Sequence, residues 1–379
     1  MNLTNAMYMP QLKWKAGELK AIGTARGAVG GRLLPLFVIP PSGAFDHSEG
    51  RTLGTAEYIR SFGTKLAASW IDGPVFVDGV HIDDEKHKNA VGQHALTELL
   101  ERARLAHVMA CPVTSLSRSA EYQQAVRRFR HHNPGWPVCI RLSLSELDIL
   151  ASNERLNSFL NQFDAIAAET VLLVDGGPIF IPDVDQLATL IIEALSPLSG
   201  GPSFSKVFWG STTFPEKHGL KAGQTGAWAR TDWQVYKRLV ERSRELPITP
   251  LFSDYALEFP AQYKPVQASP VAHLRYSSED HYMMVRGTTT KKPYGYKAIF
   301  DVAQTLLAHE DFKGSAFSLG NSYMANLVAP NAKTGNASLW RWASTDHHIS
   351  LVMQSLGKLL GVQMPTEEVV RTDNQLVLI

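Results

Sequence analysis

The chain has 379 residues, of which 44% are hydrophobic and 19% charged, and its 37 basic side chains nearly balance its 36 acidic ones. That balance argues against a general nucleic-acid binder, which carries a basic face and a domain pI above ~9. No apolar run approaches the ~20 residues of a membrane-spanning helix, and the opening MNLTNAMYMPQLKWK has no secretory apolar core, so a cytoplasmic protein with no membrane partner is the expectation. Cys111 and Cys139 lie in apolar strand-like runs and read as reduced core thiols.

In chain order, eight β-rich runs recur: YMPQLKW from Tyr8, LLPLFVIP from Leu33, PVFVDGV from Pro74, HVMACPV from His107, PVCIRLSL from Pro137, ETVLLVDGG from Glu169, KVFWGSTTF from Lys206 and ITPLFSDYA from Ile248. Their starts lie 25 to 42 residues apart, which is room for a strand and a crossover helix. Most are apolar almost throughout, as in parallel strands buried on both faces. The intervening segments keep helical spacing: Tyr58, Ile59, Phe62, Leu66 and Trp70; then Leu96, Leu99, Leu100 and Ala103; then Tyr122, Val126 and Phe129 behind a Ser119 cap. Asn153 and Asp183 are placed to cap two more helices, and Thr231 or Asp232 opens another. The helix around Glu18 to Ile22 is the weakest element.

Eight such units are the number that closes a ring, so the expected fold is α/β, a (β/α)8 TIM-like barrel in one domain spanning residues 1–379. An alternative frame drops YMPQLKW and closes the wall with SAFSLG from Ser315. Residues 271–287, VAHLRYSSEDHYMMVRG, read as an inserted β-hairpin around a Ser-Ser-Glu-Asp turn, and residues 313–379 as an extension packed on the barrel. A helix is expected over Tyr294 to His309, a polar loop over Asn321 to Asn336 and a last helix over Asp346 to Leu360. Lys217 to Arg230, glycine-rich and basic, reads as a loop, either an ordinary surface excursion or a loop over the mouth.

In such a barrel reactive groups sit at the carboxyl ends of the strands. That rule selects Lys13 and Lys15 after the first strand, Asp78 and His81 after the third, Asp175 after the sixth, Ser211 after the seventh, and Asp254 with Tyr255 after the eighth. In the fifth run Val138, Ile140, Leu142 and Leu144 alternate with Cys139, Arg141 and Ser143, which turns Arg141 into the barrel. A guanidinium there needs a carboxylate or an anionic ligand, and Asp175 is its natural partner, with Asp78 farther off. In KWKAGE, Gly17 permits a tight turn into a helix whose amino end helps hold an anion beside Lys13, Lys15 and Glu18. The hairpin offers Arg275, Tyr276 and Arg286, and the last helix His347 and His348. Adjacent histidines point ~100° apart on a helix and do not share a metal, and no zinc, P-loop, dinucleotide or nucleophile-elbow motif occurs, so no metal and no cofactor are expected.

YMPQLKWKAGELKAI, LLPLFVIPP, ARTDWQVY, FSDYA, AHLRYSSEDHYMMVRG and DHHISLV together give the chain a global likeness: it resembles the "beta protein" family of tailed bacteriophages and bacterial genomes. The resemblance implies a barrel-like protein of phage, prophage or mobile-element context inside a bacterial cell. It draws attention to Lys13, Lys15, Gly17, Glu18, Arg230, Asp254, Arg275, Arg286 and His347, and assigns none of them a role. Val38 stands where members of that family often carry an acid.

Two functions follow from the residues. The first is a hydrolase or lyase acting on an anionic, phosphorylated or nucleotide-like small molecule, with Lys13, Lys15, Arg141, Arg275 and Arg286 facing Asp78, Asp175 and Asp254, and one Asp or His81 moving the proton. The second is a non-catalytic protein that binds a host or defence component through the hairpin and carboxyl-terminal segment, where Trp340, Trp342 and Tyr282 would suit an interface if exposed, although tryptophans at this density are more often core.

Overall fold

Runs too apolar to leave one face in water must be covered on both, and here the eight runs roll into a closed parallel ring. A computed structural model describes residues 3, 5–29, 31–46, 49–83, 92–150, 152–260, 271–290 and 295–364 of the chain. The wall consists of β1 (Tyr8–Lys13), β2 (Leu36–Val38), β3 (Val75–Asp78), β4 (Ala110–Thr114), β5 (Val138–Ser143), β6 (Thr170–Pro178), β7 (Lys206–Thr212) and β8 (Leu251–Asp254). β1 closes it, pairing Tyr8 with Phe252 on β8 and Gln11 with Leu36 on β2, all in parallel. The frame that used SAFSLG is thereby corrected: Ser315–Ser318 form turns that lead into a helix.

Helices α1 (Ala16–Val29), α2 (Thr55–Ser69), α3 (Ala95–Leu105), α4 (Ala120–His132), α5 (Leu144–Ile149), α6 (Asn153–Asn161), α7 (Val184–Leu195) and α8 (Thr231–Glu241) cover the ring, followed by α9 (Ala298–Leu307), α10 (Leu319–Asn326) and α11 (Ala337–Leu360). Ser119 and Asp183 cap α4 and α7 as the sequence suggests, each accepting from the backbone N–H three positions on. The cap of α6 is Ser152, one residue before Asn153, and α8 starts at Thr231 with no side-chain cap. α1 is a full 14 residues long and binds tightly to α11.

Gly17 serves that contact rather than a tight turn. It lies in the first turn of α1, where a Cβ would come 2.5 Å from the Ser338 carbonyl oxygen and 3.0 Å from the Arg341 Cβ. α11 begins nine residues before the expected Asp346, because Asn336 caps it at Leu339 N, and α10 occupies part of the expected polar loop. The hairpin is present as Val271–Ser277 and His281–Thr289, and Thr225–Ala229, expected to be loop, adds a third antiparallel strand through Trp228 opposite Tyr282. Among the described residues no helix is long and apolar enough to cross a membrane.

Side chains alternate across the wall. Phe252 on β8 meets Trp233 and Tyr236 of α8, so it faces outward, while Ser253 accepts from Gln11 Nε2 at 3.2 Å inside the ring. Gly210 makes room for that interior pair, since a Cβ there would lie 2.5 Å from Gln11 Nε2. This small polar floor carries the charged layer above it at the carboxyl mouth.

Candidate functional site

The mouth is built around Arg141, which alternation along β5 turns inward between Ile140 and Leu142. Its Nη1 donates to Asp78 Oδ2 at 2.7 Å, its Nε and Nη2 to Asp175 Oδ2 at 2.9 and 2.7 Å, and its Nη2 to the Tyr255 hydroxyl at 2.9 Å. Tyr255 OH in turn donates to Asp175 Oδ2 at 2.6 Å. Asp78, expected to be the more distant partner, is engaged as closely as Asp175. Its second oxygen accepts from Arg118 Nη2 at 2.9 Å and from Val80 N at 3.0 Å.

These contacts fix the protonation states. Burial pushes the Asp78 carboxyl up, but the adjacent Arg118 and Arg141 guanidiniums outweigh it and hold the group below the usual carboxylate range. Burial, reinforced by Asp175, pushes the Tyr255 hydroxyl well up, so it stays a proton donor at neutral pH. His81 follows β3 in the short helical turn Val80–Ile82, and burial, helped by Arg141, Arg118 and Lys13 and opposed by Asp78, moves it below its ordinary value. It is therefore neutral at pH 7, the state a general base requires.

Above this layer is a cavity of about 260 Å³, lined by Lys13, His81, Ser117, Arg118, Ser143 and Glu146 among others. Of the residues expected at the mouth, Lys13, His81, Arg141, Asp175 and Tyr255 line it, and Asp78 forms its floor through Arg118 and Arg141. Arg118 lies four residues past the end of β4 and was not foreseen. Its Nε is buried with no hydrogen-bond partner among the described residues.

A second charged cluster adjoins the cavity where Glu258, just after β8, lines the wall. Glu258 Oε2 accepts from Lys13 Nζ at 3.0 Å, and its Oε1 from both Arg275 of the hairpin and Arg341 of α11. Arg341 also donates to Glu18 Oε1 at 3.0 Å. Lys15 belongs to the same group: burial, then the charges of Arg341 and Lys13, bring its ammonium down to about 8. Lys13, Lys15, Glu18 and Arg275 are thus together, as expected, while Glu258 and Arg341 are additions.

Other expected residues lie elsewhere. Asp254 has the parity of Phe252 and faces outward, fully buried, taking Tyr8 OH at 2.5 Å and His348 Nε2 at 2.9 Å. Ser211, in register with Asp254, is buried on the same side. His347 packs within the extension, with Nδ1 2.7 Å from Asn321 Oδ1 and Nε2 2.8 Å from the Ser277 carbonyl, and burial brings it down to about 3. Arg286 donates to the Leu220 carbonyl, and Arg230 is buried with Nη1 2.9 Å from the Ser278 carbonyl. Placing Asp254, Ser211 and His347 at the mouth is therefore corrected.

Ser277 Oγ, 2.9 Å from His348 Nδ1, completes a serine–histidine–aspartate chain with Asp254. All three side chains are fully buried, so the serine meets no substrate. Trp340, Trp342 and Tyr282, offered above as an exposed contact surface, are only 2%, 3% and 0% exposed and belong to the core. Among the described residues no group of three or more His, Cys, Asp or Glu side chains is placed to hold a metal ion.

The family model described as Beta protein matches residues 8–354. The chain belongs to the Beta protein family. Its match extends from the closing strand β1 well into α11, so it includes every barrel strand and both charged clusters. No curated protein matches the chain. Among solved structures, triosephosphate isomerase from Bartonella henselae aligns at 16% identity over 65% of this chain and 92% of that one, with a TM-score of 0.32. A protein assigned as a lyase/mutase from Burkholderia cenocepacia J2315 aligns at 15% identity over 66% of this chain and 77% of that one, with a TM-score of 0.33.

Proposed function

We propose that this Beta protein family member is a hydrolase or lyase whose mouth cavity takes a small anionic, phosphorylated or nucleotide-like molecule. The observation that carries the reading is Arg118: its buried Nε has no partner among the described residues, beside a cavity that also holds His81 and the Arg141–Asp175–Tyr255 relay. A buried donor left unsatisfied costs ~1–3 kcal/mol, which a ligand oxygen would recover.

In this reading His81 is the catalytic base, taking a proton from water or from a substrate carbon. Arg118 donates toward the negative charge that develops, in a site partly shielded from solvent, while Tyr255 holds Asp175. Asp78 and Asp175 are positioning residues that hold the two guanidiniums. The likeness noted in the sequence adds a setting, a phage, prophage or mobile-element protein acting in the bacterial cytoplasm.

A thermal-shift panel of nucleotides and sugar phosphates tests the site. At least one compound should raise the melting temperature of the wild-type protein, and the shift should vanish in Arg118→Gln. A panel with no effect on wild type and variant alike would remove the proposal.

A further inference from the structure

Gln11 carries an acceptor that the fold leaves unused. Its side chain points into the ring from β1, and its Nε2 donates to Ser253 Oγ at 3.2 Å. The single hydrogen of that hydroxyl goes to the Met9 carbonyl oxygen at 2.7 Å, so Ser253 can only accept from Gln11. These two bonds fix which way the amide lies, with its nitrogen toward Ser253 and its oxygen away. Gln11 Oε1 is buried with no hydrogen-bond partner among the described residues, and Gln11 lines the mouth cavity. An amide oxygen accepts and never donates, so what it lacks is an O–H or an N–H.

The wall across the ring, at β5, offers partners of the same kind. There Glu146 ties the loops after β4 and β5 together: its Oε1 accepts from Ser117 N at 3.1 Å, and its Oε2 from Ser143 N and Oγ at 2.9 and 3.1 Å. A carboxylate has about four acceptor positions, and these bonds leave one open on Oε1. Ser115 Oγ and Ser117 Oγ lie 3.0 Å apart, so the two hydroxyls share one hydrogen bond and keep one hydrogen to donate. Ser115, Ser117, Ser143 and Glu146 all line the cavity.

We propose that the ligand of the mouth is a short polyhydroxylated phosphate, a polyol or sugar phosphate rather than a nucleotide, with Gln11 Oε1 and Glu146 accepting its hydroxyls and Arg118 holding its phosphate. A hydroxyl both donates and accepts, so it serves either wall. An ammonium group would serve the two acceptors and leave the serine hydrogen unmatched. The cavity of about 260 Å³ falls below the ~300–1,000 Å³ of common small-molecule pockets, and no Phe or Trp is among the described residues that line it, so a base finds little volume and no such ring to stack on. The inference rests on the mouth being a ligand site and names the uncharged part of what enters it.

Calorimetric titration of the full chain tests it with matched probes: glycerol, ribose and glucose, each phosphorylated at the terminal carbon, against propyl, pentyl and hexyl phosphate, together with adenosine monophosphate. At least one hydroxylated probe should bind tenfold or more tighter than its alkyl partner and than adenosine monophosphate, because a site built to bond hydroxyls penalises an analogue that lacks them. Gln11→Met keeps the length of the side chain, removes the acceptor and should largely abolish that preference while leaving alkyl phosphate affinity unchanged. Should Gln11→Met not fold, Ser117→Ala decides, since Ser117 is exposed at the rim and its loss should lower the preference several-fold. Alkyl phosphates that bind as tightly as their hydroxylated partners, adenosine monophosphate binding more tightly than all, or a preference that both variants keep, overturns the inference.

Arg118→Gln separates the two proposals, and hydroxylated and alkyl phosphates alike should lose binding in it. Alkyl phosphates or adenosine monophosphate that bind through Arg118, with hydroxyls adding nothing, leave the mouth reading standing and remove this one. Failure of every probe to bind the wild-type protein removes both.

Discussion

Arg118 reaches back from the loop after β4 to place its Nη2 2.9 Å from Asp78, giving one fully buried carboxylate two guanidinium partners. Removing the shared carboxylate strands Arg118 and leaves Arg141 with Asp175 alone, whereas removing Arg118 leaves Asp78 still paired with Arg141. Asp78→Asn should therefore cost about 3–5 kcal/mol, the penalty for breaking a buried pair, and Arg118→Met clearly less. Urea titration of both variants measures this, and equal losses would show that Asp78 does not hold the layer together.

Turnover should depend on pH through His81. Because burial and the neighbouring cations lower it, the proton-accepting form persists below its ordinary value of 6.5, and the rate should stay level through pH 7 and fall only in more acidic solution. His81→Gln should abolish turnover while keeping the ligand-induced thermal shift. A variant that loses binding as well would assign His81 to holding the ligand.

Stability should rise from pH 8 to pH 10.5 because of Lys15. Its ammonium deprotonates at about 8 in the fold but at 10.5 in an unfolded chain, so between these values the unfolded state binds more protons and added base favours the fold. The penalty for burying this cation is fully present below pH 8. Lys15→Met should flatten that rise and stabilise the protein at neutral pH, read from denaturant midpoints across the series. An unaltered slope would place the Lys15 ammonium in solvent.

Gly17→Ala should destabilise the protein by about 1–3 kcal/mol, the usual cost of overpacking. The new methyl would meet the Ser338 carbonyl oxygen, a backbone atom that cannot swing away. Calorimetric melting of this variant against Gly31→Ala is uninformative because Gly31 has a left-handed backbone, so Gly73→Ala, with open space around it, is the proper control. Equal effects at positions 17 and 73 would mean that α1 and α11 part easily.

A fluorophosphonate probe should leave Ser277 unlabelled in the native protein, despite its hydrogen bond to His348. The serine has no exposed surface, and activation by a histidine matters only where a substrate can arrive. Labelling at Ser277 would reveal an opening of the extension that the fold does not display.

The barrel was legible because its signal is collective: eight apolar runs at a βα spacing leave few other arrangements. Arg141 was legible for a similar reason, since Ile140 and Leu142 on either side dictate which way it turns. The same parity argument was available for Asp254 and Ser211. Phe252 and Trp209, each two residues earlier, mark an outward face, but selecting every residue at a strand end overrides that information. Arg118, Glu258 and Arg341 were hidden for another reason. Each lies outside the strands, and only the folded path of a loop or a carboxyl-terminal helix brings its charge to the mouth. The aromatic residues of the extension misled because a tryptophan near histidines fits a contact surface and a core equally well until helix packing is known.

The pairing of β1 with β8 gives the ring an order of assembly. Tyr8 meets Phe252, 244 positions further along the chain, so during synthesis the first strand waits with an open edge until the eighth has left the ribosome. Chains interrupted before Asp254 would present two unsatisfied edges to their neighbours, and premature termination should yield aggregates rather than a smaller folded barrel.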